Sequence, residues 1–489
     1  MNTLIVTAIR CSLMFLVPAL ACAGSAQWNL NPASGDWNTA ENWTPMTVPN
    51  GPADIATFAV SNTAGPSISE NTEVNSIVFT PAASNPYTIY APGLTLTIGG
   101  VGIINNSAIT QNFVTSGRGI VFSNSATAGS DVSIFNFVGF MAFFNTSGAG
   151  NASIVNGGFA ETIFFDSSTA DNASICVCDN AAYLQFADTS TAGNATIGSV
   201  GDVFFSESSN AGSATITSAP LSFYPSSISF SGSSQGGTAR IELLSNPDYN
   251  SHGVLYISGH DAPGVTIGSI EGEENTLVLL GGNNLTVGSN NLSTTFSGVI
   301  EDGGFGLGGS LTKIGSGTLA LAGENTYTGI TNINGGVLQV DGAISSNTFV
   351  NHGGVLAGNG TVNGNVTNNY VGEVSPGDAA GLPGVLTVGG TYTQAPSATL
   401  LVQIGGAGPG QVGVLEVQGT ANLNGFIEPV LVNGFVPEIG QSFTFLDYAS
   451  FTGFFHHIRN PVFDHGRKRW LLAYNATSAV LIVIKNGAH

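Results

Sequence analysis

Short apolar runs alternate along most of this chain with runs of Ser, Thr, Gly and Asn, and between residues 119 and 245 the alternation becomes a repeat. Six segments share one pattern: Phe122 to Ile134, Phe144 to Ile154, Phe165 to Ile175, Phe186 to Ile197, Phe205 to Ile216 and Phe230 to Ile241. Each leads from a Phe that ends a strand, through a small polar turn, to a short strand of the Ala-x-Ile kind. The closing Ile recurs after 20, 21, 22, 19 and 25 residues. So short a unit cannot bury its own apolar face, but copies stacked about 4.8 Å apart bury a continuous one. The pattern predicts an all-β solenoid with turns of about 20 residues, its Phe and Ile side chains in ladders inside and its variable turns outside. Ile134, Ile154, Ile175, Ile197 and Ile216 are expected in one buried ladder. A propeller blade would repeat at about 40 residues, and a leucine-rich repeat needs a Leu/Asn consensus that this text lacks. Where Phe residues adjoin, at Phe143-Phe144, Phe164-Phe165 and Phe204-Phe205, one ring faces in and its neighbour out. The inner rings are core; an outer Phe stripe would be a binding surface.

The flanks carry strands of other texture. Residues 1–26 read as a secretory signal: Arg10, an apolar core from Cys11 to Leu20, and small residues before cleavage at Ala23 or Ala26. That run is too short to span about 30 Å of hydrocarbon. Residues 27–118 are expected to form an N-terminal β region and cap, with clean alternation at Leu94-Thr-Leu-Thr-Ile98. Trp28, Trp37 and Trp43 lie there, suited to covering an open coil end or to stacking on sugars. Residues 119–245 form the short-repeat coil. The coil continues through 246–379, where Thr276-Leu-Val-Leu-Leu-Gly281 and Thr318-Leu-Ala-Leu-Ala-Gly323 start 42 residues apart, two layers. Residues 380–489 make a C-terminal β region and cap. Trp470–Tyr474 and Val480–Ile484, linked by Asn475–Ser478, predict a closing antiparallel hairpin. No linker divides the chain, which favours one elongated domain.

Composition sharpens this picture. Of 489 residues only 8% are charged, against about 25% in ordinary domains. There are 67 Gly, 9 Lys plus Arg and 30 Asp plus Glu. Loss of Arg10 with the signal would leave a net charge of −22. Nucleic-acid binding is excluded by the shortage of cations. Disorder is excluded by 42% hydrophobic residues with sparse charge. With Cys176 and Cys178 the only cysteines after the signal, the fold is not built on disulfides.

At residues 298–342 the sequence resembles the autotransporter-associated β-strand repeat of bacterial passenger proteins. The pieces that carry the likeness are Leu311-Thr-Lys313, Gly317-Thr-Leu319, Asn325-Thr-Tyr-Thr-Gly329 and Gly335-Gly-Val-Leu338. Gly35 to Phe58 resembles the start of large passengers, and Gly358 to Gly377 the region near a passenger's C-terminal end. The resemblance implies a right-handed parallel β-helix, bacterial export and a surface or extracellular location, with the periplasm as the alternative. It also implies contact with export machinery, and a folding nucleus within 380–489. A membrane barrel of the family needs some 250 residues or more of alternating strands. Only about 140 residues follow the repeat and they read as more passenger. Self-translocation is therefore not expected.

Candidate chemistry is thin. Gly304-Phe-Gly-Leu-Gly-Gly309 matches a dinucleotide fingerprint, but a strand rather than a helix follows, so it reads as a turn. Cys176-Val-Cys178 places both thiols on the outer face, because Ile175 and Val177 hold the inward register; the pair is decoration or one bridge. Asp166, Asp171, Asp179, Asp188 and Asp202 lie on successive turns and could supply the carboxylate pair of a carbohydrate-active β-helix enzyme. Such a lyase also wants cations, and residues 24–458 hold only Arg118, Arg240 and Lys313. No G-x-S-x-G elbow with suitable partners occurs. His252, His260 and His352 are isolated. His456, His457 and His465 cluster beside Arg459, Arg467, Lys468 and Arg469, which suit a cationic cap better than a metal site. Asn151, Asn172 and Asn194 match the glycosylation pattern, and in a bacterial protein read as turn formers. The expectation is a secreted or surface-exposed, structural or adhesive protein with no catalytic, cofactor-binding or metal residues, no cofactor and no integral membrane segment. Its partner is an extracellular or cell-surface one that the sequence does not name. The alternatives are the carbohydrate-active enzyme and a carbohydrate- or protein-binding module meeting its ligand through Phe or Trp.

Overall fold

The computed structural model describes residues 24–303 and 306–487. Most of the proposed signal, and Gly304 and Phe305 of the glycine-rich turn, lie outside the described residues. The chain is a parallel β-solenoid of about 16 turns averaging ~23 residues, all β apart from two short 3₁₀ turns among the described residues. The coil starts earlier than the repeats: Ala26–Trp28 pairs in parallel with Gly51–Phe58, which pairs with Thr72–Phe79, then Thr95–Asn105, then Gly119–Phe122. A second face runs layer by layer from Thr88–Pro92 to His457–Ile458.

In the short repeats each turn has two strands and a tight third side. Ile134, Ile154, Ile175, Ile197, Ile216 and Ile241 pair directly, layer on layer, and all are buried. The inward Phe column is Phe122, Phe143, Phe164, Phe186, Phe205 and Phe230. Successive rings stack at 4.8, 4.4, 4.9, 4.9 and 4.8 Å with planes within 12°. The strand repeat imposes that spacing, since strands in a ladder sit 4.7–4.9 Å apart. Phe144 and Phe165, placed in this column by the sequence alignment, are instead the outward neighbours. On the third side Ala128, Ala149, Ala170, Ala192 and Ala211 are fully buried, where a tight corner leaves room for little more than a methyl group. Only single bridges, Thr127–Gly148–Thr169–Thr191–Asn210–Gln235, mark that side. From Gly264–Ile267 onward Val, Leu and Ile replace the alanines and the side becomes a true third sheet, running to Val414–Leu423.

The turn after the Phe column needs a left-handed residue in every layer. Asn124, Asn145, Asp166, Asp188 and Glu207 have φ between 54° and 60°, and Gly232 follows at 62°. Short polar side chains tolerate that region best. Asn145, Asp166, Asp188 and Glu207 also each accept the backbone N–H of the counterpart one layer back: Asn124 N to Asn145 Oδ1, Asn145 N to Asp166 Oδ2, Asp166 N to Asp188 Oδ2 and Asp188 N to Glu207 Oε2, at 2.8–3.0 Å.

Both coil ends are covered. Trp28, Trp37 and Trp43 are fully buried around Phe58 at 5.5–6.2 Å, and their indole N–H groups donate to the carbonyls of Thr63, Pro49 and Trp37. They cap the coil and are not a sugar platform. At the other end Lys468–Tyr474 and Ser478–Lys485 form the antiparallel hairpin, and the second strand pairs with Ser442–Gly453.

Candidate binding surface

Outward positions on the second face form rows in the same register as the Ile ladder. Directly beside that ladder the row reads Tyr90, Val114, Phe135, Val155, Cys176, Gly198. The adjacent row holds Phe137 and Gly157 side by side. Tyr90 and Phe135 are each 41% exposed, Phe137 50%, Val138 45% and Phe159 71%. The Phe135 and Phe137 rings lie nearly parallel, 6.0 Å apart at 9°. This apolar stripe crosses five layers, about 19 Å. Beside it runs a row of small polar side chains, Asn112, Ser133, Ser153, Ser174 and Thr196. A contiguous exposed apolar patch with a polar rim marks a contact surface.

Backbone strain sits at the same place. The strand Val132–Phe143 bends from the second face to the first at Val138, whose φ is +55°. A β-branched residue in that region is a genuine outlier, and such outliers gather where structure serves contact or chemistry. Gly158, one layer up, leaves the room: a Cβ there would lie 2.8 Å from a Val138 methyl.

The outer members of the Phe pairs do not form this surface. Phe144 and Phe165 stack at 4.9 Å, with Phe140, Ala142, Ile163, Tyr183 and Ala187 around them, and Phe165 is 3% exposed. They cover one another as a second, smaller apolar cluster on the first face. The exposed aromatics follow from alternation: with Ile134 and Asn136 inward, Phe135 and Phe137 must point out.

Of the five acids, Asp166 and Asp188 are brought together, as neighbours in the left-handed turn row with Asp166 N donating to Asp188 Oδ2 at 2.9 Å and Glu207 one layer on; the other three bond elsewhere. Asp171 accepts from Gly150 N on another corner, Asp179 from Ala181 N, and Asp202 from the Ser227 hydroxyl on the first face. Among the described residues no group of three or more His, Cys, Asp or Glu could hold a metal ion. His260 is buried with its ring nitrogens 2.6 Å from the carbonyls of Asp261 and Ser234. His457 stacks on Phe426, and His465 occupies a left-handed turn. Most of the basic run is paired with acids at its own end of the molecule. Arg459 lies 4.5 Å over the Phe426 ring and pairs with Glu428; Arg467 pairs with Asp464 at 2.6 Å. Lys468 is buried, donating to Pro437 O and reaching Glu438 and Asp464. Asn151, Asn172 and Asn194 form an exposed amide ladder, each Nδ2 donating to the layer below. Cys176 and Cys178 are bridged on the outer face, Cα atoms 5.3 Å apart. Among the described residues no helix is long and apolar enough to cross a membrane.

Comparison with known proteins agrees with this architecture. Residues 311–340 match the passenger-associated-transport repeat. An extracellular serine protease of Serratia marcescens is 47% identical over 78 residues, 16% of this chain and 7% of that protein. The adhesin BmaC autotransporter of Brucella suis is 37% identical over 108 residues, 22% of this chain and 3% of the relative. The chain thus spans only a small part of the length of these relatives. Repeat text, coil and relatives concur in a likeness to autotransporter passengers.

Proposed function

We propose that this protein is a secreted or surface-exposed bacterial passenger-type solenoid with a structural and adhesive role and no catalysis. The exposed stripe of Tyr90, Phe135, Phe137 and Phe159 carries the reading. A rigid coil presents it at fixed spacing, and rigid aromatic area is what hot spots of protein contacts are made of. The adhesin among the relatives and the repeat at 311–340 support export to the surface. The partner is an extracellular or cell-surface one, met through an uncharged aromatic face with hydroxyl and amide neighbours. That face also suits the flat side of a neutral glycan, which keeps a carbohydrate-binding reading beside the protein-binding one.

The protease relatives make an activity test necessary. The purified chain is incubated with casein and with a polysaccharide panel, and separately tested for retention on bacterial and animal cell surfaces. No turnover is expected, and retention should fall at least several-fold in a Phe135→Ser, Phe137→Ser, Phe159→Ser variant that keeps its β-signal. Turnover abolished by a single Asp→Asn change at position 166, 171, 179, 188 or 202 would overturn the assignment.

A further inference from the structure

The aromatic stripe ends on the disulfide, and the surroundings of that bridge do not explain it as a staple. In the coil below, the two equivalent outward positions are Val155 and Gly157; in the coil above they are Gly198 and Val200. Both neighbours hold the same strand register with no cross-link, although the corner that begins at Cys178 is one residue shorter in the layer below and three shorter in the layer above. The strand Ser174–Val177 is paired on both edges, and Cys178 N donates to Asn156 O at 2.8 Å. The bridge closes a loop of two residues' separation, so it removes little freedom from the unfolded chain compared with bridges that close long loops. It is also open to solvent. Cys178 is exposed, and Gly198, directly above Cys176, leaves empty space: a Cβ there would meet nothing within 4 Å.

We infer that the Cys176–Cys178 bridge is a thiol-exchange site, at which a thiol borne by a docked partner forms a reversible mixed disulfide with Cys178. Attack on a disulfide needs access to one sulfur and a thiolate, and exposed structural bridges are the labile ones. The partner thiolate attacks Cys178 Sγ; the Sγ–Sγ bond breaks as the new S–S bond forms. The electron pair leaves on Cys176 Sγ, which takes a proton from water. The partner sulfur is oxidised and Cys176 reduced, so no further oxidant is needed. Cys176 stays two residues away and can attack back, an intramolecular step that closes the ring and releases the partner. The link therefore lasts only while the partner is held beside it. That retention rests on the adhesive reading of the stripe; the exchange chemistry does not.

The charge of the molecule sets which thiols react fastest. Acidic residues outnumber basic ones by more than three to one, and Asp179 follows Cys178. Anionic thiols are repelled and cationic ones attracted, an effect that salt screens. The test uses the full chain with Cys11→Ser and Cys22→Ser, so that only this bridge can react. It is treated with cysteamine, 2-mercaptoethanol or reduced glutathione at about 10 mM, alkylated, and mapped by mass. All three should open the bridge while β-signal and protease resistance stay unchanged. Cysteamine should be several-fold faster than glutathione at low salt, and the gap should close at about 1 M salt. Cys176→Ser, whose Cys178 is then a free thiol, should exchange with cystamine in place of cysteamine, releasing one cysteamine and keeping a mixed disulfide on Cys178 that no neighbouring thiol can resolve. A bridge that opens only when the chain unfolds, or a Cys176→Ser, Cys178→Ser double variant that melts many degrees lower, overturns the proposal. A Cys-containing apolar peptide supplies the second arm. If Phe135→Ser with Phe137→Ser lowers its adduct yield and leaves cysteamine rates alone, exchange and docking both stand. If peptide yield is unchanged, exchange stands and the docking reading falls.

Discussion

Lys313 sits at an inward position of the third sheet, between Val287 and Ile333 in the ladder, with about 1% of its surface exposed. Its ammonium donates to the carbonyls of Ile314 at 2.6 Å and Gly335 at 3.3 Å and, among the described residues, pairs with no carboxylate. Burial lowers its pKa from the ordinary 10.5 to about 8. The charged form is penalised in the fold and not in the unfolded chain. That cost is present in full below pH 8 and is relieved as the pH rises toward 10.5, so stability should climb through this window. Lys313→Met removes the cost and keeps the volume. In urea titrations it should match or exceed the parent at pH 7, by about 1–3 kcal/mol, and converge with it near pH 10. A constant difference across that range would sink the account. The sequence placed Lys313 in its repeat text but could not show that the Leu-Thr-Lys register turns this cation inward. The Phe register was readable and was missed. Measured from the inner rings, Phe to Ile is 11 residues in Phe143–Ile154, Phe164–Ile175, Phe186–Ile197, Phe205–Ile216 and Phe230–Ile241. That constancy, not adjacency to the polar turn, identifies the inward ring. The one departure, 12 residues from Phe122 to Ile134, coincides with the left-handed Asp131 at φ 55°.

At the scale of elements, short strands are recoverable from sequence wherever a side-chain column repeats, because a buried column fixes register. This held for the Ile ladder and the closing hairpin. It failed for residues 27–118, whose layers are already coil but whose columns change from Trp and Phe to Ile and Leu without repeating. The hairpin covers an end that would otherwise offer unpaired backbone and apolar core, the setting for edge association. Trp470 packs on Phe443 at 5.8 Å and on Phe463 at 4.7 Å, while Leu481 and Val483 are fully buried. Removing residues 459–489 strips these and leaves the strand Ser442–Gly453 without its antiparallel partner. Refolding of the truncated chain should give aggregation or rapid proteolysis, read by light scattering and limited digestion. Recovery of a soluble monomer with full protease resistance would refute the capping role.

For the whole molecule, charge and shape act together. With Arg10 outside the described residues, thirty acids against eight bases lie along a narrow coil, so few acids find a cation and the remainder repel. Two carboxyls show the consequence inside the fold. Glu373 is pushed above its ordinary value by burial and then by Glu428, with Arg459 opposing. Asp447 is pushed up by burial and then by Glu416. A carboxyl with a raised folded pKa holds its proton more tightly in the native state than in the unfolded one. Stability from such groups therefore falls as the pH rises through the window above their ordinary values of 4.5 and 3.8. Asp36 has the opposite sign: although burial raises it, bonds from Thr39, Ser69 and the Asn38 backbone hold it below 3.8, so its contribution is lost only under stronger acid. The sum is a stability maximum on the mildly acidic side. Tm should rise as the pH is lowered from 8 toward about 5, and should rise with salt at pH 7 because screening relieves the repulsion. It should fall again well below pH 4, as the Asp36 bonds are protonated away. Glu373→Gln should raise Tm at pH 7 and flatten the acidic side of the profile. Calorimetry across pH at two ionic strengths checks every part, and a Tm that declines steadily on mild acidification, with no salt response, would refute the charge argument.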